Sequence, residues 1–229
     1  MKSKLLGLVS VGLLATPMAV SAVTVDWTDW TGVTSTSTAP GAASGTMAGV
    51  TVSVSSTAAL NGLSQTGGPC TNYWTENASD PAYTGGTASN APTACEQVGL
   101  NTNNTVTVTF SSAVTGLYMA LLSVGQSGLA ATYDFDRSFV IDSEGGGYWG
   151  NDITDGVIGA GDTLTMREFH GLLLFSGPVS SLTFSTFPTE NWHAFTFGMA
   201  PASVPEPGTL ALLGLGLAGL GLSRRRKAA

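Results

Sequence analysis

The sequence predicts an all-β protein, an antiparallel β-sandwich or jelly-roll-like ectodomain that lies between two terminal signals. Short stretches place apolar residues at every second position, most clearly in Val106-Thr-Val-Thr-Phe110, which is the period of a half-buried strand. Breaks rich in Gly, Pro, Asn and Ser separate these stretches, and helical periodicity between them is weak. The segment 23–203, about 180 residues, suits one domain of this class.

Alternation places about nine strands along this segment. Residues 57–103 are rich in turn formers instead, which predicts long loops with a short helix near Thr57–Leu63. Thr34–Gly49 is rich in Ser, Thr, Ala and Gly, and is either a loop or an edge strand. The expected strands are Val23–Trp27, Val50–Val54, Val106–Phe110, Gly116–Val124, Thr132–Ile141, Thr163–Arg167, Gly171–Phe175, Ser181–Phe187 and His193–Met199.

The N-terminus has the three parts of a secretory signal peptide. Lys2 and Lys4 precede the apolar run Leu5–Val20, and Val20-Ser-Ala22 is a small-x-small cleavage site. We therefore expect residues 1–22 to be removed by cleavage after Ala22. An uncleaved N-terminal anchor is disfavoured by Pro17 and by this cleavage site.

The C-terminus, residues 204–229, combines a rigid motif, a short apolar run and a basic tail. Uncharged residues fill 208–222, which as a single transmembrane helix would span about 22 Å, less than the roughly 30 Å hydrocarbon core. The basic residues favour the cytoplasmic side of a membrane. These features fit either an ordinary anchor or a temporary one. The motif 204–207 contains Pro205, Glu206 and Pro207, and the basic tail contains Arg224, Arg225, Arg226 and Lys227.

This order of motif, Gly/Leu-rich run and basic tail resembles the PEP-CTERM sorting domain. The resemblance implies a Gram-negative bacterium that makes extracellular polysaccharide, and cleavage near the motif by an exosortase, a membrane processing enzyme. Pro205, Glu206 and Pro207 would then form a recognition motif. The protein would be anchored transiently in the inner membrane and then released to the cell surface or the extracellular space, with exopolysaccharide as a candidate partner. The strand pattern is also loosely similar to β-sandwich ectodomains that precede such signals.

The charge of the segment between the signals is strongly acidic. Arg137 and Arg167 are its only basic residues against fourteen acids, a net charge of −12, whereas the whole chain has −7. Such a surface repels nucleic-acid phosphates, so we expect no nucleic-acid partner.

Cys70 and Cys95 are the only cysteines. In an exported chain an isolated pair predicts a disulfide. No nearby Cys or His completes a metal site, which ranks free thiols and a metal pair below the disulfide.

No catalytic signature is present in the sequence. The two histidines, His170 and His193, lie at or in predicted strands and are expected to be structural, with His170 marking a strand end. Neither a nucleophile elbow nor a zinc-protease motif occurs. We therefore expect a non-enzymatic surface or matrix protein without a cofactor. The alternatives are a glycan- or calcium-binding surface module and a secreted polysaccharide hydrolase.

Two candidate ligand sites come from the acidic stretch 134–162. Asp142, Glu144, Asp152 and Asp155 supply hard oxygen ligands around a glycine-rich loop, which would suit calcium, although ordinary turn residues are the favoured interpretation. Tyr148, Trp149 and Asn151 could stack on and hydrogen-bond a sugar ring. For the aromatics, a place in the core is the favoured interpretation.

Overall fold

The computed structural model describes residues 22–33, 39–61, 63–64, 70–150, 154–201 and Gly214. The signal peptide residues 1–21, the motif 204–207, the basic tail 224–227 and, apart from Gly214, the apolar run 208–222 lie outside these residues. Among the described residues, no helix has the length and apolar character needed to cross a membrane.

The described residues form an all-β fold of two antiparallel sheets. The first five strands are β1 (Asp26–Trp27), β2 (Asp29–Val33), β3 (Gly41–Met47), β4 (Val50–Ser56) and β5 (Leu63–Ser64). The next five are β6 (Gln97–Leu100), β7 (Asn104–Val114), β8 (Leu117–Val124), β9 (Ala131–Phe135) and β10 (Phe139–Glu144). The last five are β11 (Thr154–Ile158), β12 (Thr163–Arg167), β13 (Phe169–Phe175), β14 (Val179–Phe187) and β15 (His193–Met199).

The strands divide into a seven-stranded and an eight-stranded sheet. The first has the order β10-β13-β8-β15-β6-β5 with β1 paired to β15, and the second has the order β11-β12-β9-β14-β7-β4-β3-β2. From β7 to β11 and again from β12 to β15, each successive strand lies in the opposite sheet. The predicted antiparallel β-sandwich is therefore confirmed.

The main core lies between the sheets. Alternate residues of β7 and β14, among them Val106, Val108, Leu182 and Phe184, are buried there. This is the burial expected of strands that have one face on the core and one on solvent. This one-sided burial explains why apolar and polar residues alternate in the sequences of these strands.

The long segment 70–96 forms a lobe on the outer face of the seven-stranded sheet. Its Trp74 and Tyr83 are buried and pack with Tyr118, Ala120 and Leu122 of β8 in a second hydrophobic cluster. All eight residues of β8 are buried, because one of its faces lies on the main core and the other lies under this lobe. The sequence of a strand that is covered on both faces is a continuous apolar run, whereas that of a half-buried strand alternates.

Several predictions about single elements were wrong. The stretch Thr132–Ile141 is two strands in different sheets, β9 and β10. No helix occurs at the described residues 57–61, and Leu63 begins β5. His170 lies within β13 and not at a strand end. For the low-complexity stretch Thr34–Gly49, a loop and an edge strand were the two interpretations. It contains β3, which is hydrogen-bonded to β2 on one side and to β4 on the other.

Candidate functional site

Four aromatic rings meet at one edge of the lobe. The ring of Tyr73 stacks on Trp149 with a centroid distance of 5.1 Å and an interplanar angle of 15°. Trp192 meets Trp149 edge to face at 5.5 Å, and Tyr148 packs against Tyr73 at 5.0 Å. Tyr148 and Trp149 are 45% and 46% exposed, so the expectation that they belong to the core is not met.

Trp192 is held rigidly beside this cluster. Its Nε1 donates a hydrogen bond to the carbonyl oxygen of Asn61 at 3.0 Å. A Cβ on Gly99 would collide with the carbonyl oxygen of Asn61 and lie 2.7 Å from this nitrogen, so β6 needs glycine there to admit both hydrogen-bonding partners. The hydrogen bond thus orients the indole just before the start of β15.

Trp149 and Trp192 line a groove of about 380 Å³. The other lining residues are polar or glycine: Ser123, Gly125, Gln126, Glu168 and Asn191. At the rim, Nδ2 of Asn191 donates to Oε1 of Gln126 at 2.9 Å, which joins two amides from distant parts of the chain. The groove thus combines aromatic faces with hydrogen-bonding groups.

The carboxylate of Glu168 lies in this groove, and its residue and Ser123 have strained backbone conformations. Ser123 and Glu168 both adopt left-handed backbone conformations, with φ of 55° and 50°. The Oγ of Ser123 donates to Oε1 of Glu168 at 2.6 Å. The pairing of β8 with β13 shifts register next to them, between Phe169 and Gly171. Non-glycine residues in such conformations are uncommon, and they cluster at functional sites.

His170 supports Glu168 from inside the protein. The His170 side chain is fully buried, with Nε2 3.6 Å from Oε1 of Glu168 and Nδ1 3.3 Å from the hydroxyl of Tyr83. Burial by itself would raise the pKa of the Glu168 carboxyl, but the contacts with His170 and Ser123 outweigh it and lower this pKa. Glu168 is therefore an ionised hydrogen-bond acceptor at neutral pH.

Of the four residues predicted for calcium, only Asp142 and Glu144 have side chains that the structure describes. The carboxylate of Asp142 accepts hydrogen bonds from the backbone N–H and the hydroxyl of Thr87. Oε2 of Glu144 accepts one from the N–H of Gly156 at 2.9 Å. Asp152, the side chain of Asp155 and Asn151 lie outside the described residues. Among the described residues, no three His, Cys, Asp or Glu side chains form a metal-binding group.

The disulfide between Cys70 and Cys95 is present, with a Cα–Cα distance of 5.5 Å. It closes the lobe that carries Tyr73 and therefore holds the ring that stacks behind Trp149. The second histidine, His193, is buried with Nδ1 2.7 Å from Oε1 of Glu190. Neither residue is among those that line the groove, and the His193 ring packs edge to face against Tyr133 at 5.7 Å.

Of the residues that line the groove, the sequence predicted only Trp149 as a site residue. It missed Glu168, Trp192, Ser123, Gln126 and Asn191, which the pairing of β8 with β13 and β15 brings together. One signal was available in the sequence: Glu168 is an acidic residue only two positions from His170, one of the two histidines of the chain.

Comparison with known proteins identifies the C-terminus. Neither the curated proteins nor the solved structures include a significant match to the chain. Residues 203–227 match the PEP-CTERM protein-sorting motif, which confirms the resemblance of the tail and marks the protein for export and for sorting by an exosortase-type enzyme.

Proposed function

We propose that the protein is an exported cell-surface or extracellular-matrix protein of a Gram-negative bacterium, and that its ectodomain has no catalytic activity. Exosortase would cut it near Pro205–Pro207 after transient anchoring in the inner membrane. The observation that carries this proposal is the sorting motif at residues 203–227. An acidic ectodomain with a disulfide suits the oxidising space outside the inner membrane.

The geometry of the groove supports binding rather than hydrolysis. Most glycoside hydrolases use two carboxyl groups, one of them a general acid with a raised pKa. Glu168 is the only carboxylate among the described residues that line the groove, and its pKa is lowered. Both histidines are buried, and each lies beside a carboxylate. For the groove, this favours binding over hydrolysis.

The sorting step is tested by mass spectrometry of the protein from its native host. We expect a mature C-terminus near Val204–Pro207 and no trace of the basic tail. A Pro205→Ala variant should accumulate unprocessed in the membrane, whereas Pro201→Ala, outside the motif 204–207, should be processed normally. Mature surface protein that still carries Arg224–Lys227 would contradict the proposal.

The absence of catalysis is tested separately. The purified protein is incubated with bacterial exopolysaccharide, and released reducing ends are measured against a Glu168→Gln variant. We expect no release above the buffer blank with either protein. Turnover by the native protein that Glu168→Gln abolishes would establish the hydrolase instead.

A further inference from the structure

The tryptophans of the protein fall into two groups. Trp27, Trp30 and Trp74 are buried, whereas Trp149 is 46% exposed and Trp192 is partly exposed. Exposed large aromatics cost hydrophobic free energy unless a ligand covers them, and groups of them mark binding surfaces. Tyr73 covers one face of the Trp149 ring by stacking. Trp149 also lines the groove.

The polar side of the groove is arranged independently of the aromatic side. Glu168 is 17% exposed, and Ser123 holds its Oε1. Its Oε2 has no hydrogen-bond donor in the part of the chain that the structure describes. Buried Nε2 of His170 likewise has no hydrogen-bond partner there and lies 3.6 Å from this carboxylate. The left-handed conformations of Ser123 and Glu168 thus occur at two residues that line the groove.

We propose that the groove between Trp149 and Trp192 is a binding site for a neutral saccharide. One sugar ring stacks its C–H face against an indole of the groove, and its hydroxyls donate hydrogen bonds to the carboxylate of Glu168. The amides of Gln126 and Asn191 at the rim can donate to and accept from further hydroxyls. The site goes beyond the proposed surface role and does not depend on how the tail is processed.

The lining residues favour a neutral sugar over other small ligands. An anionic ligand would be repelled by Glu168 and by the net charge of −12 between the signals. A quaternary ammonium ion could use the aromatic rings and the carboxylate, but its nitrogen carries no hydrogen to donate to the amide oxygens. A volume of about 380 Å³ is in the range of small-molecule sites.

The test uses the intrinsic fluorescence of the full chain in detergent. The probes are maltohexaose, cellohexaose, laminarihexaose and mannohexaose, each in a separate titration, with choline as the cationic probe. Because the other three tryptophans are buried, a change on binding reports on Trp149 and Trp192. We expect at least one oligosaccharide to give a saturable change with a micromolar to millimolar Kd, and choline to give none.

Variants locate the site. Trp149→Ala and Glu168→Gln should each weaken binding about tenfold or more, as loss of a stacking ring or a charge-assisted hydrogen bond does. Phe187→Ala is the matched control, because it removes a ring of similar exposure, 45% against 46% for Trp149, from the eight-stranded sheet, and should leave binding unchanged. Calorimetry repeats each titration, since Trp149→Ala also removes a reporter. Should Glu168→Gln fail to fold, Asn191→Ala tests the same polar side.

Three outcomes would overturn the proposal. The first is a lack of saturable binding to all four oligosaccharides. The second is binding that Trp149→Ala and the polar-side variant leave intact, which would place the saccharide elsewhere. The third is tight binding of choline without any oligosaccharide, which would make the groove a cation site.

Discussion

At the scale of single residues, Glu96 is the carboxyl group whose pKa depends most clearly on the fold. Its side chain is buried, and Oε2 accepts a hydrogen bond from the N–H of Thr93 at 3.1 Å. Burial, together with the hydrogen-bonded Asp29, raises its pKa from the ordinary 4.5 to about 7. The protonated form of Glu96 is therefore the one that the folded state favours.

A raised pKa makes stability fall with increasing pH. The contribution of Glu96 is fully present below its unfolded pKa of 4.5 and is lost as pH rises through about 7. We expect the free energy of unfolding to decline over this window, and Glu96→Gln, which mimics the protonated form, to flatten the decline. Urea denaturation at pH values between 4 and 8 measures it, with Asp134→Asn on an exposed strand position as the control. An unchanged pH profile in Glu96→Gln would rule this role out.

Tyr83 links the lobe to the support of the groove. Its hydroxyl lies 3.3 Å from Nδ1 of His170 and 3.4 Å from the carbonyl oxygen of Leu121. Tyr83→Phe leaves buried polar groups with fewer partners, so we expect it to destabilise the protein by about 1–3 kcal/mol. Tyr148→Phe, at an exposed ring, should change stability by less than about 0.5 kcal/mol. Thermal melts compare the two, and equal effects would contradict the role of the Tyr83 hydroxyl.

At the scale of elements, the lobe 70–96 depends on its disulfide. Few strand hydrogen bonds hold it, and it attaches to the sheet through the packing of Trp74 and Tyr83 and through side-chain bonds such as Thr87 to Asp142. Removing a cross-link of this loop length frees the unfolded chain, which is why we expect a cost of about 2–4 kcal/mol.

The double variant Cys70→Ala, Cys95→Ala tests this expectation. Hydrogen exchange should accelerate across residues 71–94 much more than in β7 and β14, because the main core lies between the sheets and not under the lobe. Mass spectrometry of exchanged peptides measures both regions in one experiment. Uniform acceleration throughout the sandwich would show that lobe and core unfold as one unit.

Alternation predicted strands with one solvent face, such as β4, β7 and β14, and also β15, which is buried on both faces. The bounds of β12 and β15 are as predicted, and β4, β7 and β14 extend their predicted ranges by a few residues. Alternation did not predict β3, because apolar and polar residues alternate little in its sequence Gly-Ala-Ala-Ser-Gly-Thr-Met. It also did not predict β6, which is short and buried on both faces. In these strands neighbouring strands and the lobe supply the burial, so local pattern carries too little information.

At the scale of the whole molecule, the acidic charge raises the question of calcium. We expect equal melting temperatures in EDTA, in calcium and in sodium of matched ionic strength. The reason is that Asp142 and Glu144 accept hydrogen bonds from separate backbone N–H groups. Calcium bound at a hundred times its Kd would stabilise by about 2.7 kcal/mol and raise the melting temperature by roughly 5–10 °C. A rise of that size specific to calcium would establish the predicted site.

The sequence by itself determined the class of fold, the disulfide and the sorting signal. Each of these depends on residue types close together in the chain or on a unique pair, as with the period of Val106–Phe110, Cys70 with Cys95, and the tail 203–227. The tertiary structure decided which residues come together to form the groove. Trp149 comes from the loop after β10, Ser123 from β8, Glu168 from the start of β13 and Trp192 from the start of β15. They meet because β13 and β15 both pair with β8, and such long-range pairing depends on burial in the whole fold rather than on any local pattern.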